Sequence, residues 1–148
     1  MSRIIVSIIL FSVFLSNTVI AGSDPIKARQ HLMEETRDAA KVIGGMVKEE
    51  RTFDAVAAMN ALQIWHETAT KAGDLFPEGS ETGNDTEAKS TIWSDRAGFD
   101  AKMENFKTQV DAAIRSEPES LDELKVVAGP VFKACKACHD GYRVEKED

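Results

Sequence analysis

The sequence predicts an all-α protein, an antiparallel four-helix bundle. Four stretches after residue 21 repeat apolar residues at alternating steps of three and four, which places them on one helix face. The same region is rich in Ala, Glu and Lys and has few β-branched runs, a composition that favours helices. Short links and one longer connection, residues 77–91, join the stretches, as expected for antiparallel helices.

Residues 1–21 have the features of a secretory signal peptide. Arg3 supplies a positive charge, residues 4–15 are nearly all apolar, and Val19-Ile20-Ala21 precedes the expected cleavage point. An uncleaved membrane anchor is the alternative, but the apolar run is short for a bilayer span. We therefore expect cleavage after Ala21 and a single domain over residues 22–148.

The charge balance limits the function classes. The 148-residue chain has a formal net charge of −7, and loss of Arg3 with the signal peptide makes it −8. This acidic balance argues against a nucleic-acid-binding surface and favours neutral or basic partners. The sequence has no Ser, Cys or carboxylate constellation typical of a hydrolase, and we expect a protein that is not an enzyme.

The first two helices are expected on either side of residues 48–51. The first begins after Ser23 or Asp24, with Pro25 in its opening turn. Gly44-Gly45 interrupts it, as close approach of another helix or of a cofactor would require. The second runs from about residue 52 to residue 72. The stripe predicted on the first helix is Ile26, Arg29, Met33, Thr36, Ala40, Ile43 and Val47.

The third and fourth helices have clear start signals. The third begins at residues 92–95, with Ser94 or Asp95 as its cap, and ends near residues 116–118. Ser120 begins the fourth, with Glu123 completing a capping box. Pro130 is expected to kink or loosen that helix. The buried stripe of the fourth helix is Leu121, Leu124, Ala128, Val131, Cys135, Cys138 and Tyr142.

The strongest motif is Cys135-Lys136-Ala137-Cys138-His139, the attachment pattern of a c-type haem. Residues i and i+3 share a helix face, so both thiols can reach the two vinyl groups of one porphyrin edge. We expect Cys135 and Cys138 to form thioethers to one haem c and His139 to be the proximal iron ligand.

The same cysteines have three other interpretations: a disulfide, a thioredoxin-like dithiol, or half of a zinc site. A thioredoxin motif opens a helix after a strand, and no strand pattern precedes this one. A zinc site needs a second pair of ligands at similar spacing, which the sequence lacks. The haem interpretation accounts for both cysteines of the chain.

Two residues of the first stripe stand out. A buried Arg29 needs an anion, which a haem propionate would supply, although an arginine at a helix end can also extend to solvent. Met33, one turn later, is ordinary core filler on spacing alone. His31 and His66 are expected at surface or boundary positions and not as ligands.

Over essentially all of the mature chain, the sequence resembles the class II c-type cytochromes, the group containing cytochrome c-prime. The resemblance rests on Arg29-Gln30 with Met33, on Leu75-Phe76-Pro77, and on Ile92-Trp93-Ser94-Asp95 with Phe99. It is strongest over residues 132–143. Class I cytochromes carry the haem motif near the N-terminus, whereas here it lies in the last helix.

The resemblance implies a haem in the core of the bundle, export to the periplasm, redox partner proteins and a homodimer through the first two helices. It also implies propionate contacts for Arg29 and Gln30. The family has two branches: five-coordinate proteins that bind NO and CO, and low-spin electron carriers, the c-556-like branch, with a methionine as distal ligand. Met33 occupies the deciding position, and Asp24 to Asp54 is similar in spacing to the low-spin branch. An electron carrier is therefore expected, with gas binding at an open iron site as the alternative.

Overall fold

The computed structural model describes residues 24–145 and confirms the predicted all-α bundle. A 3₁₀ helix, Ala72–Leu75, extends the second helix. The expected signal peptide lies outside the described residues. The α-helices are α1 (Pro25–Val47), α2 (Ala55–Lys71), α3 (Thr91–Ser94), α4 (Arg96–Arg115) and α5 (Leu121–Tyr142).

Side-chain caps begin the four long helices. Aspartates cap three of them: Asp24 accepts a hydrogen bond from the Ile26 amide, Asp54 from Ala57, and Asp95 from Gly98. These caps satisfy amides that have no partner within their own helix. At α5 the Ser120 hydroxyl accepts from the Glu123 amide at 3.3 Å, and Glu123 in turn accepts from Glu119 at 2.8 Å. The predicted capping box therefore forms with one difference: the Glu123 carboxylate accepts from the amide of Glu119 and not from that of Ser120.

The helices pack in the order α1, α2, α4, α5. α1 packs closely against α2, α2 against α4, and α4 against α5, whereas α1 and α5 touch over fewer residues. Trp65 is fully buried at the centre, edge-on to Phe132. The bundle is therefore closed on three sides and loosely packed along the fourth, which we call the α1–α5 edge.

The buried face of α1 follows the predicted stripe only in part. The stripe residues Ile26, Arg29 and Ile43 are buried, whereas Met33 and Ala40 are half-buried at the boundary. Residues one position before other stripe members are buried instead: Leu32, Ala39 and Met46. The reason is that α1 packs against α2 on one side and faces the α1–α5 edge on the other. The glycine pair does not break the helix, and a Cβ on Gly44 would lie 3.9 Å from the Phe132 ring.

Two other local expectations concern Asp95 and Pro130. Asp95 caps α4, as predicted, and the preceding residues form the separate short helix α3, because the φ of −125° and ψ of 56° at Asp95 are not helical. α5 runs through Pro130 as one helix. The missing amide of Pro130 leaves the Val126 carbonyl without its helical partner, and Val126 is 74% exposed, so water can bond it.

Between residues 24 and 145, none of the helices combines the length and the apolar character that a membrane span requires.

Candidate haem-binding site

Cys135 and Cys138 lie one turn apart on the inner side of α5. Both are half-buried free thiols. Cys135 packs against the central core, and Cys138 packs against a second cluster formed by Phe76, Ile92, Phe99 and Tyr142. The two sulfur atoms therefore border the interior of the bundle, where a covalently held flat cofactor has to lie.

Burial controls the ionisation of the two thiols. It raises the pKa of Cys135 to about 11. Burial also raises the pKa of Cys138, with the Lys102 ammonium opposing the shift. Both thiols are therefore protonated near neutral pH and do not resemble the low-pKa cysteines of dithiol oxidoreductases.

His139 follows Cys138 and is half-buried. Burial lowers the pKa of its imidazole, and Arg143 acts in the same direction, while Asp140 and Glu87 oppose the shift. A lowered pKa keeps the ring neutral near pH 7, so that a nitrogen lone pair is available to a metal.

An aromatic cluster surrounds this end of α5. Tyr142 packs edge-on to Phe99 with ring centroids 5.4 Å apart, and Phe99 packs against Phe76 at 5.0 Å. The Tyr142 hydroxyl donates to Asp95 Oδ2 at 2.8 Å. The pKa of Tyr142 is raised, first by this hydrogen bond and then by burial. The capping residue of α4 therefore also holds the last turn of α5.

Arg29 is buried at 4% exposure and binds the connection after α2. Its Nη1 donates to Leu75 O and Ser80 Oγ, both at 3.0 Å. Its Nη2 donates to Ser80 O at 2.7 Å and to Thr86 Oγ1 at 2.9 Å. Its guanidinium also lies 4.8 Å from the centroid of the Phe76 ring. Burial lowers the pKa of Arg29, and the Asp24 and Glu81 carboxylates oppose the shift.

Gln30 binds the same connection from an exposed position. Its Nε2 donates to Asn84 O at 2.7 Å, and Asn84 Nδ2 donates to Asp24 Oδ2 at 2.5 Å. The first turns of α1 therefore fasten residues 75–86. Sequence reasoning missed these partners, because nothing in residues 75–86 marks them as acceptors for a distant arginine. The predicted propionate contacts of Arg29 and Gln30 stay predictions.

Met33 belongs to the row of α1 residues that faces the α1–α5 edge. A groove of about 540 Å³ lies along this edge and is lined by Phe132 of α5 and by several residues of α1. Four of these α1 residues follow Met33 by four, seven, eleven and fourteen positions. Steps of four and three keep residues on one helix face. Those four residues are Arg37, Ala40, Gly44 and Val47. Met33 is thus on the side of α1 that faces α5.

The register of α1 and α5 brings Met33 and His139 to the same end of the bundle. Gly44 lies against Phe132, and the two helices are antiparallel. Met33 precedes Gly44 by about 16 Å of helix, and His139 follows Phe132 by about 10 Å in the same direction. Their levels along the bundle therefore differ by about 6 Å, roughly one helix turn, so both residues lie toward the same end of the α1–α5 edge.

The other histidines occupy the expected positions. His31 is exposed near Glu35, and half-buried His66 lies 2.8 Å from Asp111. The zinc interpretation needs a further cluster of ligands, and no group of three or more His, Cys, Asp or Glu able to hold a metal is found among residues 24–145. The donor set on the inner side of α5, two thiols and an adjacent neutral imidazole, fits a covalent haem.

Comparison with known proteins decides the family. The family model described as "Cytochrome C'" matches residues 24–143. A cytochrome c' of Rhodopseudomonas palustris is 34% identical, covering 88% of this chain and 89% of the relative. A cytochrome c-556 of the same organism is 31% identical, covering 88% and 90%.

This chain belongs to the cytochrome c' family.

Solved structures of the cytochrome c' family confirm the fold. A cytochrome c' structure from Rhodopseudomonas palustris matches with a TM-score of 0.80 at 33% identity, covering 84% of this chain and 99% of that one. A nitric oxide complex of a mutant cytochrome c prime from Alcaligenes xylosoxidans matches with a TM-score of 0.68 at 27% identity, covering 84% and 98%.

Family membership confirms three sequence-based predictions. Members of the cytochrome c' family bind one covalent haem c, carry it in a four-helix bundle, and are haem proteins and not enzymes. Sequence reasoning missed the Asp95–Tyr142 bond, although it had named Asp95 as a helix cap. It also missed Lys89 and Thr91, which bond the end of α5 from the other side.

Proposed function

We propose that this protein is a periplasmic electron carrier whose haem iron is bound by His139 on one side and by Met33 on the other. The position of Met33 carries the proposal. Met33 lies in the helix row that faces the α1–α5 edge, and its level along the bundle differs from that of His139 on the other helix by about 6 Å, roughly one helix turn. A thioether at that point can complete the coordination of a metal held by the imidazole.

Each residue has a defined task in this proposal. Cys135 and Cys138 hold the cofactor covalently on the inner side of α5, and His139 binds as a neutral imidazole. Met33 supplies a sulfur ligand, which raises the reduction potential by favouring the ferrous state. The haem supplies the one-electron chemistry, and the bundle supplies burial and fixed axial ligands. Because both ligands stay bound in either oxidation state, electron transfer needs little rearrangement.

The cellular setting is part of the same proposal. Removal of residues 1–21 after export leaves the mature domain in the periplasm without a stable membrane anchor, which agrees with covalent haem attachment. The partners are other redox proteins, with neutral or basic surfaces favoured by the formal charge of −8 of the mature chain. A homodimer through α1 and α2 belongs to this proposal as well.

The second candidate function is gas binding at an open iron site. Two findings favour it. One relative is named cytochrome c', the name of the gas-binding branch, and a mutant of the Alcaligenes xylosoxidans protein has been solved as a nitric oxide complex. In that case Met33 packs beside the iron without binding it. Its half-buried position at the helix boundary is compatible with either role.

The absorption spectrum of the purified protein with its haem attached separates the two functions. An electron carrier has low-spin spectra in both oxidation states that barely change with CO. Met33→Ala should convert it to a high-spin form that binds CO readily. Met103→Ala, which truncates a half-buried methionine packed against the same aromatic cluster as Cys138, is the matched control and should stay low-spin. A wild-type protein that is already high-spin and CO-reactive would contradict the electron-carrier proposal.

A further inference from the structure

The C-terminal end of α5 is held by a second segment of the chain, residues 87–91. Past the helix, the Val144 amide donates to Glu87 O at 2.7 Å, and Ala88 and Arg143 form an isolated antiparallel β-bridge. This pairing keeps Arg143 in place, so that its amide can donate to His139 O at 3.0 Å. The carbonyl of the predicted proximal ligand therefore accepts the last helical hydrogen bond of α5, and the donor of that bond belongs to the residue that pairs with Ala88.

The three carbonyls after His139 also have donors, and all of these donors come from residues 89 and 91. Lys89 donates twice, from Nζ to Asp140 O at 3.1 Å and from its amide to Tyr142 O at 3.0 Å. Thr91 Oγ1 donates to Gly141 O at 3.2 Å. The last four carbonyls of a helix lack helical partners, and an end without donors frays. Here all four are satisfied.

Without these hydrogen bonds, the backbone of α5 around His139 would be held only on its N-terminal side. On its N-terminal side, Cys135 and Cys138 fasten α5 through the two thioethers of the proposed function. On its C-terminal side, the main chain is held by hydrogen bonds, and the segment 87–91 provides them together with the Tyr142–Asp95 bond. The orientation of an imidazole relative to a haem depends on the position of its own backbone, so movement of the last turn changes the geometry at iron.

We propose that Lys89 and Thr91 are positioning residues for His139. By capping the last turn of α5 they hold the imidazole in one orientation toward the iron. The inference rests on the proposed function only in taking His139 as the proximal ligand, which both the electron carrier and the gas-binding protein require. Whether Met33 binds iron does not affect it.

The test uses the purified protein with its haem attached and compares Lys89→Met, Thr91→Val and the double variant with the wild type. Lys89→Met keeps the aliphatic part of the side chain and removes the donor to Asp140 O, and Thr91→Val removes a hydroxyl at nearly constant shape. Lys102→Met and Thr108→Val on exposed positions of α4 are the matched controls. Lys102 is a strict control because its charge also lies near Cys138.

Two measurements are needed: hydrogen exchange of the amides in residues 139–145, and the electron paramagnetic resonance spectrum of the ferric protein. In the double variant we expect exchange in this segment to be faster by on the order of tenfold, since two hydrogen bonds are lost. We also expect shifted or broadened g-values, because the imidazole samples several orientations. The single variants should show smaller changes of the same kind, and the controls should match the wild type.

Two outcomes would overturn the inference. Unchanged exchange would mean that the side chains of Lys89 and Thr91 do not hold the end of α5. Faster exchange with unchanged g-values would mean that they cap the helix without positioning His139. A high-spin wild type would instead count against the electron-carrier function alone, because the comparison between variants is valid for either spin state.

Discussion

At the scale of single residues, Gly98 has the most restrictive surroundings among the glycines of residues 24–145. Asp95 uses both carboxylate oxygens there: Oδ1 accepts from the Gly98 amide at 3.1 Å, and Oδ2 accepts from the Tyr142 hydroxyl at 2.8 Å. A Cβ on Gly98 would lie 2.6 Å from the Tyr142 hydroxyl and closer still to Asp95. The absence of a side chain therefore allows α4 and α5 to be joined at this point.

Gly98→Ala should lower the free energy of unfolding by about 1–3 kcal/mol, because the methyl group displaces Asp95 or Tyr142 from their bond. Urea denaturation of the haem-containing protein measures this. Gly44→Ala is the control: its methyl group would sit 3.9 Å from Phe132, an ordinary contact, and should cost nothing or stabilise by up to about 1 kcal/mol. Equal stability of the Gly98→Ala variant and the wild type would contradict this account.

How far single residues of the site can be predicted depends on the distance along the chain between the interacting groups. Cys135, Cys138 and His139 are contiguous, so their spacing alone indicates the chemistry. Arg29 could be singled out as a cation on an apolar stripe. Its acceptors could not be predicted, because Ser80 and Thr86 follow it by more than fifty residues. Only the fold brings such partners together.

At the scale of elements, capping residues located the starts of α1, α4 and α5, whereas α2 was located by the spacing of its apolar residues. Asp95 was predicted as a possible cap, but the separate short helix α3 before it was not. Asp95 accepts two hydrogen bonds, and one of them comes from Tyr142 in α5, which lies 47 positions later in the chain. The partial mismatch between the predicted stripe and the buried face of α1 has a similar cause, since the stripe cannot show which neighbouring helix packs closely.

Pro130 provides a prediction at this scale. It lies inside α5 on an exposed position, and the helix continues through it with the exposed Val126 carbonyl left for water. Pro130→Ala should restore the helical hydrogen bond and raise the free energy of unfolding by about 1–3 kcal/mol. The spectrum should not change, because Pro130 lies more than one turn before Cys135. A loss of stability on urea denaturation would show instead that the proline stabilises α5.

At the scale of the whole molecule, the open α1–α5 edge explains how a bundle with an ordinary core can carry a large flat cofactor. Three helix pairs supply the packing, with Trp65 and Leu62 fully buried between them. The fourth pair leaves a groove between Phe132 of α5 and the Met33 row of α1. Because the helix that bears the thiols and the helix that bears the methionine are the loosely packed pair, a ligand between them adds contacts that the protein alone lacks.

The outer surface of α2 bears on the assembly of the molecule. Val56 is 71% exposed and Ile64 is 37% exposed, both on α2, and the class II resemblance implies a homodimer through the first two helices. Burial of these side chains between two copies would remove apolar surface from water, and a charge at the same place would have to be desolvated.

We therefore expect Val56→Glu and Ile64→Glu to shift the protein toward monomer in sedimentation velocity, with an unchanged haem spectrum. Val126→Glu, at a 74% exposed position on α5, is the matched control and should leave the oligomeric state as it is. A wild-type monomer at every concentration, or an equal effect of the α5 variant, would contradict association through this face.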